Sequence, residues 1–328
     1  MLGAHSGDRQ RQGFMTLHSI PVNPVPEGAV AGHIVTPDGL KLRYARWNPT
    51  GPRRGTVCLF SGRTEMIEKY FEVIRELRER GLAVAALDWR GQGGSDRLLA
   101  DPRKGHVRSF DDYQIDLEVF MREIVLPDCP APIFGLAHSM GGAILLEAIH
   151  LGRRWFDRLV LSSPMIDLVG PAGRPAARAI AKIGTLLGFS TSYIVGGGPA
   201  AISSRPFTGN PLTSDPVRYE RIRALEELPG LGLGSPTFGW IDAAFRTMER
   251  FSDPLYPTTL RQPLLIFAAG EDPIASTTAT ERFSVRLRAG SHLIIPGAKH
   301  EILMERDIVR AQFWAAFDAF VPGSPLYR

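Results

Sequence analysis

The chain has 328 residues, 44% hydrophobic and 22% charged, which suits one large α/β domain with room for an inserted subdomain. A formal net charge of +4 at pH 7, carried by scattered basic residues, is too weak for a nucleic-acid binder but compatible with an anionic membrane surface. Two cysteines, Cys58 and Cys129, build no disulfide framework and point to a reducing, cytoplasmic setting.

Residues 1–20 are polar and lack the apolar centre of a signal peptide, so an unstructured leader is expected there, with Met15 as an alternative start. His33 to Thr36 and Leu40 to Trp47 alternate in strand fashion around Asp38-Gly39, a hairpin signal. Thr56 to Phe60 is a buried strand ending at Ser61-Gly62-Arg63, and Ile67, Tyr70, Phe71, Ile74 and Leu77 share a helical face that stops at Gly81. Leu82 to Leu87 is a further buried strand, closing on Asp88-Trp89-Arg90-Gly91-Gln92-Gly93-Gly94-Ser95, whose glycines are expected to shape a turn. Ser109 is placed to cap a helix carrying Tyr113, Leu117, Phe120 and Ile124.

Ile133 to Ala137 follows Pro130-Ala131-Pro132 as a short apolar strand, and a helix-forming Ala/Ile/Leu/Glu stretch follows His138-Ser139-Met140-Gly141-Gly142. Arg158 to Leu161 is the next strand. From about Met165 to Tyr256 no buried strand is predicted, and strands resume at Leu264 to Ala268 and Ser291 to Ile295. A last helix presents Val309, Phe313, Phe317 and Phe320 on one stripe. Strands alternating with amphipathic helices predict an α/β fold with a mostly parallel sheet covered on both faces. Its core is expected over 21–164 and 257–328, interrupted by a mainly helical cap over 165–256.

A serine on a sharp strand-to-helix turn, with Ala137 two residues before it and Gly141 two after, has the pattern of a nucleophile elbow. A serine hydroxyl is a poor nucleophile at neutral pH and needs a base. His300 lies just beyond the carboxyl end of the last strand and Asp272 just beyond the one before, the edge of an open sheet where sites form. The order Ser139, Asp272, His300 is that of an α/β-hydrolase triad. Asp167 also follows a strand and is the rival acid, Glu271 is expected to be exposed, and Glu301 and Glu305 are expected to favour the start of the last helix. An oxyanion hole needs two N–H donors, assigned to Met140 and to Arg63 in the loop after TVCLF. His106, His150 and His292 have no companions at metal-ligand spacing, so neither metal nor cofactor is expected. Phe207, Phe238, Trp240 and Phe245 are candidates to line an acyl tunnel. Between Arg174 and Phe189, Ala176, Ile180, Ile183 and Leu187 share one face while Arg174, Arg178 and Lys182 form a basic stripe. That apolar face is expected to pack over the site, the alternative being that it rests on an anionic lipid surface.

The stretches SGRTEMIEKYFEVIREL, DWRGQGGSDR, LAHSMGGAILL, PLTSDPVRYE, GSPTFGWIDA, AGEDPI and GAKHEIL resemble the bacterial lysophospholipase (L2-type) and monoglyceride-lipase group of α/β hydrolases. The resemblance extends from about Val30 through the insertion, and many relatives carry His-Gly where this chain has Ser61-Gly62. It implies the same triad and donors, and a serine esterase acting on a single-chain acyl lipid, a lysophospholipid or monoacylglycerol. It also implies that residues 165–256 form a cap over the acyl site; peripheral membrane contact through that cap is the alternative that its basic helix leaves open. A small-molecule esterase or acyltransferase, or a non-catalytic binding protein on the same scaffold, are the competing expectations.

Overall fold

The computed structural model of the chain describes residues 17–170, 173 and 175–321. Eight strands form one sheet: β1 (Val30–Val35), β2 (Lys41–Trp47), β3 (Gly55–Phe60), β4 (Leu82–Leu87), β5 (Ile133–His138), β6 (Arg158–Ser162), β7 (Leu264–Ala269) and β8 (Gly290–Ile295). Their order across the sheet is β1-β2-β4-β3-β5-β6-β7-β8. β2 pairs antiparallel with β1 and β4, and every pairing from β4 onward is parallel. Strands β3, β4, β5 and β7 are buried along their whole length, which is why each is a continuous apolar run rather than an alternating one.

The helices between these strands cover both faces: α1 (Phe71–Glu79), α2 (Asp111–Phe120), α3 (Met140–His150), α4 (Pro175–Gly184), α5 (Pro216–Glu226), α6 (Phe238–Phe251), α7 (Thr277–Ser284) and α8 (Asp307–Phe320). α1 buries Phe71, Val73, Ile74 and Leu77, follows a single 3-10 turn over Ile67–Tyr70, and ends before Gly81, whose φ of +79° suits glycine. α2 starts two residues beyond Ser109, with Phe110 at its cap, although the Ser109 hydroxyl still accepts from the Asp111 N–H at 3.2 Å. α8 buries the expected Val309, Phe313 and Phe317, and Trp314 in addition. Between β6 and β7 lie α4, α5 and α6. Arg218 of α5 ties this segment to the rest through Glu72 of α1 at 3.0 Å and Asp307 of α8 at 2.6 Å.

One boundary needs correction. Leu17, placed by the sequence in an unstructured leader ending at residue 20, is buried in the cluster that holds Trp47 and Phe71, and the His18 N–H donates to Glu68 at 3.0 Å. An apolar side chain with a pocket and a backbone donor with a carboxylate have both found partners, so residues 17–20 belong to the folded body. The remainder of that expected leader, like Arg174 of the basic stripe, lies outside the described residues.

Candidate active site

The turn from β5 into α3 puts Ser139 at φ 49° and ψ −112°, a conformation that costs a non-glycine residue free energy and persists because its surroundings fix it. The Ser139 N–H donates to the Ser162 carbonyl of β6 and its own carbonyl accepts from Met165, at 3.0 Å each. A Cβ on Gly141 would stand 2.7 Å from the Ser61 carbonyl oxygen and 2.8 Å from that of Phe60. Only glycine there lets α3 start against the end of β3, so the site's two loops touch through this residue.

His300 and Asp272 meet the serine above the carboxyl edge of the sheet. His300 Nε2 lies 3.0 Å from Ser139 Oγ, and its Nδ1 lies 2.8 Å from Asp272 Oδ2. Asp272 Oδ1 accepts from the Ile274 and Ala275 N–H groups at 2.8 and 2.9 Å, which holds the carboxylate on the far side of the ring. Burial opposes the charge on Asp272, but His300 and the two backbone donors outweigh it and hold its pKa below the ordinary value. The rival Asp167 pairs with Arg178 at 3.0 Å instead, and Glu271 is exposed. Such a chain can move a proton from hydroxyl to imidazole while the carboxylate stabilises the resulting cation.

A cavity of about 210 Å³ opens over Ser139, lined among others by Arg63, Glu65, His138, Met165, Trp240 and His300. Met140 is the first residue of α3, where backbone N–H groups have no intrahelical acceptor. The loop bearing Arg63 is pinned from below. Trp89 Nε1 donates to the Ser61 carbonyl at 3.0 Å, Gln92 Nε2 to the Gly62 carbonyl at 2.7 Å, and the Gly62 N–H to the Glu65 carboxylate. Asp88 works the same way, taking the Ile67 and Gly94 N–H groups at 2.9 and 2.8 Å, so the glycine-rich Asp88–Ser95 stretch is a turn, as its composition suggested.

Of the four aromatic candidates, only Trp240 lines this cavity. Phe207 packs edge-on against Tyr219, Phe238 lies against Gly184, and Phe245 faces a separate cleft of about 510 Å³ between α4 and α6 that contains none of the three site residues. The helix that carries the basic stripe is also turned the other way. Ile180, Ile183 and Leu187 are exposed by 53–68%, and α4 packs through Ala177, Ala181 and Gly184. A Cβ on Gly184 would come within 2.5 Å of Phe238, so close approach to α6 selects the small face and leaves the apolar one outward.

Sequence reasoning missed a buried ionic cluster under the site. Glu65 lies 2.6 Å from Lys69 Nζ, accepts from the Tyr70 hydroxyl at 2.6 Å and stands 3.0 Å from His138 Nδ1. Lys69 also pairs with Glu301 at 2.6 Å, and all four ionic side chains are at most 6% exposed. The His138 ring lies 4.8 Å from that of His300, and its Nε2 is 3.2 Å from the His300 carbonyl. Burial disfavours the His138 cation, yet Glu65 overrides it and raises the pKa above the ordinary histidine value. Glu65 is held well below the usual carboxylate range: burial opposes this, and His138 and Lys69 prevail. Glu301 and Glu305, expected at the start of the last helix, do other work: Glu301 takes Lys69, and Glu305 accepts from the Ser214 and Lys299 N–H groups at 3.0 Å each. Asp307 supplies the acid in the first turn of α8. The only available signal was the Glu65/Lys69 spacing of four, which on a helix ordinarily marks a solvated face.

The family described as serine aminopeptidase, S33, a group of hydrolases, matches residues 51–307. The chain belongs to this family. It is similar to the lysophospholipase L2 of Escherichia coli K12, 33% identical over 84% of this chain and 82% of the relative. The monoacylglycerol lipase of Mycolicibacterium smegmatis is 26% identical over 81% and 88%. Among solved structures, a soluble variant of the monoglyceride lipase of Saccharomyces cerevisiae, in complex with a substrate analogue, superposes with a TM-score of 0.73 at 20% identity. That match covers 93% of this chain and 99% of the other. The chain is thus an ester-hydrolysing α/β hydrolase of the S33 family.

Proposed function

We propose that the chain cleaves the carboxylic ester of a single-chain acyl lipid, a lysophospholipid or monoacylglycerol, through an acyl-enzyme on Ser139. The observation that carries this reading is the continuous Ser139–His300–Asp272 chain, at 3.0 and 2.8 Å, on the floor of the cavity. His300 takes the Ser139 proton as Oγ attacks the ester carbonyl, and the Arg63 and Met140 N–H groups receive the developing oxyanion. His300 then protonates the leaving alcohol, and the same steps with water release the fatty acid. The test is Ser139→Ala: hydrolysis of lysophosphatidylcholine and of monoacylglycerol should fall to background while the thermal transition is retained. Turnover that survives the substitution would refute the assignment.

A smaller substrate is the second reading, favoured by the cavity volume. About 210 Å³ is below the roughly 300–1,000 Å³ common for ligand pockets and cannot hold a long chain without an opening. A chain-length series of p-nitrophenyl esters separates the two, with activity confined to short acyl groups supporting the smaller substrate. No described helix is long and apolar enough to cross a membrane. The outward face of the cap nevertheless supports contact with an anionic lipid surface. Ile180, Ile183, Leu186, Leu187, Phe189 and Val195 are exposed by 53–82%, beside the exposed Lys182. Leu186→Asp combined with Leu187→Asp should reduce sedimentation with vesicles containing phosphatidylglycerol. Unchanged sedimentation would remove this contact from the proposal.

A further inference from the structure

The cavity over Ser139 is bordered by a cation, Arg63, that has no counter-ion among the described residues. Four buried arginines elsewhere, Arg43, Arg90, Arg218 and Arg310, each hold at least one carboxylate at 2.7 Å or less. Arg63 does not. Its Nη2 donates to the Gly234 carbonyl at 2.7 Å, its Nε is buried with no acceptor, and among the described residues no carboxylate stands within ion-pair distance. The guanidinium is nevertheless held in place. Its Cζ lies 5.2 Å over the ring of Trp240, which also lines the cavity, and the other side is closed by Gly105, where a Cβ would come within 2.6 Å of Nη2.

Burial lowers the Arg63 pKa to about 10, against weak support from Tyr113 and Glu226. Glu226 is itself pushed up to about 7 by burial and so carries only part of a negative charge near neutral pH. A partly desolvated guanidinium with free N–H donors is a costly arrangement unless an anion arrives with the substrate. Its planar fork matches phosphate and carboxylate oxygens, and phosphate is the anion that every glycerophospholipid head group carries.

We propose that the Arg63 side chain is the seat of the phosphate in a glycerophospholipid bearing one acyl chain, and so selects that substrate over an uncharged monoacylglycerol. This rests on the acyl-lipid reading above, and it divides Arg63 into two functions: the main chain faces the reacting carbonyl, and the guanidinium faces the head group. The bound phosphate would neutralise Arg63 and leave the buried Glu65, Lys69, His138 and Glu301 cluster undisturbed.

The test has a kinetic and a binding arm. In the full chain, Arg63→Gln retains the backbone donor. It should lower the ratio of kcat/KM for lysophosphatidylcholine to kcat/KM for monoacylglycerol of equal chain length by at least about tenfold, as loss of one charge-assisted contact implies. Equal losses on both lipids would assign the side chain to the loop alone and overturn the proposal. Gly105→Ala, which crowds the guanidinium without touching the loop's main chain, should lower the same ratio, and decides the matter should Arg63→Gln not fold. In the binding arm, calorimetry on the Ser139→Ala protein uses glycerophosphocholine, glycerol 3-phosphate and inorganic phosphate. A diester requirement identifies a phospholipid head group, whereas equal binding of all three identifies a general phosphate site. Either result must weaken at least tenfold on adding Arg63→Gln, and binding indifferent to Arg63 overturns the proposal. Should the enzyme cleave neither lipid, the acyl-lipid reading fails while this arm still decides the role of Arg63.

Discussion

Glu65→Gln separates a loop anchor from inert packing. The Glu65 carboxylate takes the Gly62 N–H, Lys69 Nζ at 2.6 Å, the Tyr70 hydroxyl at 2.6 Å and the neighbourhood of His138 Nδ1 at 3.0 Å. Glutamine has the same shape but one acceptor oxygen, and its amide donor would face a group that is itself a donor. Breaking a buried ion pair costs about 3–5 kcal/mol. Lys69 keeps Glu301 at 2.6 Å, which sets the expectation at the lower end, about 3 kcal/mol. At about 2–4 °C per kcal/mol for large domains, the melting temperature should fall by roughly 6–12 °C. The catalytic effect comes through Gly62, which precedes the proposed Arg63 donor. Complete loss of one oxyanion donor costs about 10²–10³ in kcat, so a displaced donor should cost at least about tenfold with KM little changed. Differential scanning calorimetry and p-nitrophenyl butyrate kinetics measure both quantities. A lower melting temperature with unchanged kcat would show that the cluster supports the fold without positioning the loop. An unchanged melting temperature would refute the energetic argument itself.

Asp272→Asn should lower kcat by about 10⁴, because the amide stabilises the wrong imidazole tautomer, whereas Asp167→Asn should leave hydrolysis near the parent rate. Loss of activity from Asp167→Asn equal to that from Asp272→Asn would return Asp167 to contention. Glu226 gives a pH signature. Burial raises its folded pKa from 4.5 to about 7, so between those values the folded chain keeps a proton that the unfolded chain has released. Stability from this group is therefore fully present below pH 4.5 and is lost as pH rises to and through about 7, by about 1.4 kcal/mol per unit and about 3 kcal/mol in all. Glu226→Gln should flatten that part of the curve in urea titrations between pH 4.5 and about pH 7. Parallel curves for the two proteins would show that Glu226 titrates normally.

What the sequence made legible were positions where backbone geometry restricts the choice of residue. Ser139 is legible as the candidate nucleophile because only small residues fit the turn, and the 2.7 and 2.8 Å at which a Cβ on Gly141 would meet the Ser61 and Phe60 carbonyl oxygens are the physical form of that restriction. His300 and Asp272 are legible as its candidate partners because each follows a strand at the same edge of the sheet, β7 buried throughout and β8 buried only at Ile295. The orientation of α4 was not legible. Its periodicity defines an apolar stripe but carries no information about what the stripe faces, and the helix is seated by Ala181 and Gly184 against α6. Helix-to-helix distance decided the outcome, and a pattern of hydrophobicity does not encode distance.

The charged residues beneath the site escape pattern reading for a related reason. Arg43 falls in a strand that ought to point it outward, and Glu65 and Lys69 have the spacing of a solvated helical pair, yet all three are buried. Each is stabilised by a partner that folding supplies from elsewhere: Glu68 and Asp88 for Arg43, His138 for Glu65, and Glu301 for Lys69. Glu68 comes from the 3-10 turn before α1, Asp88 from the turn after β4, His138 from the end of β5 and Glu301 from the segment next to His300, so three of the four adjoin the candidate nucleophile, its loop and the candidate base. Because an unpaired charge at these depths is costly, any displacement of one loop would strand an ion in another. The cluster thus links the loops: Glu65 and Lys69, His138 at the end of β5 and Glu301 beside His300 are joined at 2.6–3.0 Å, so moving any one of these segments separates a buried pair.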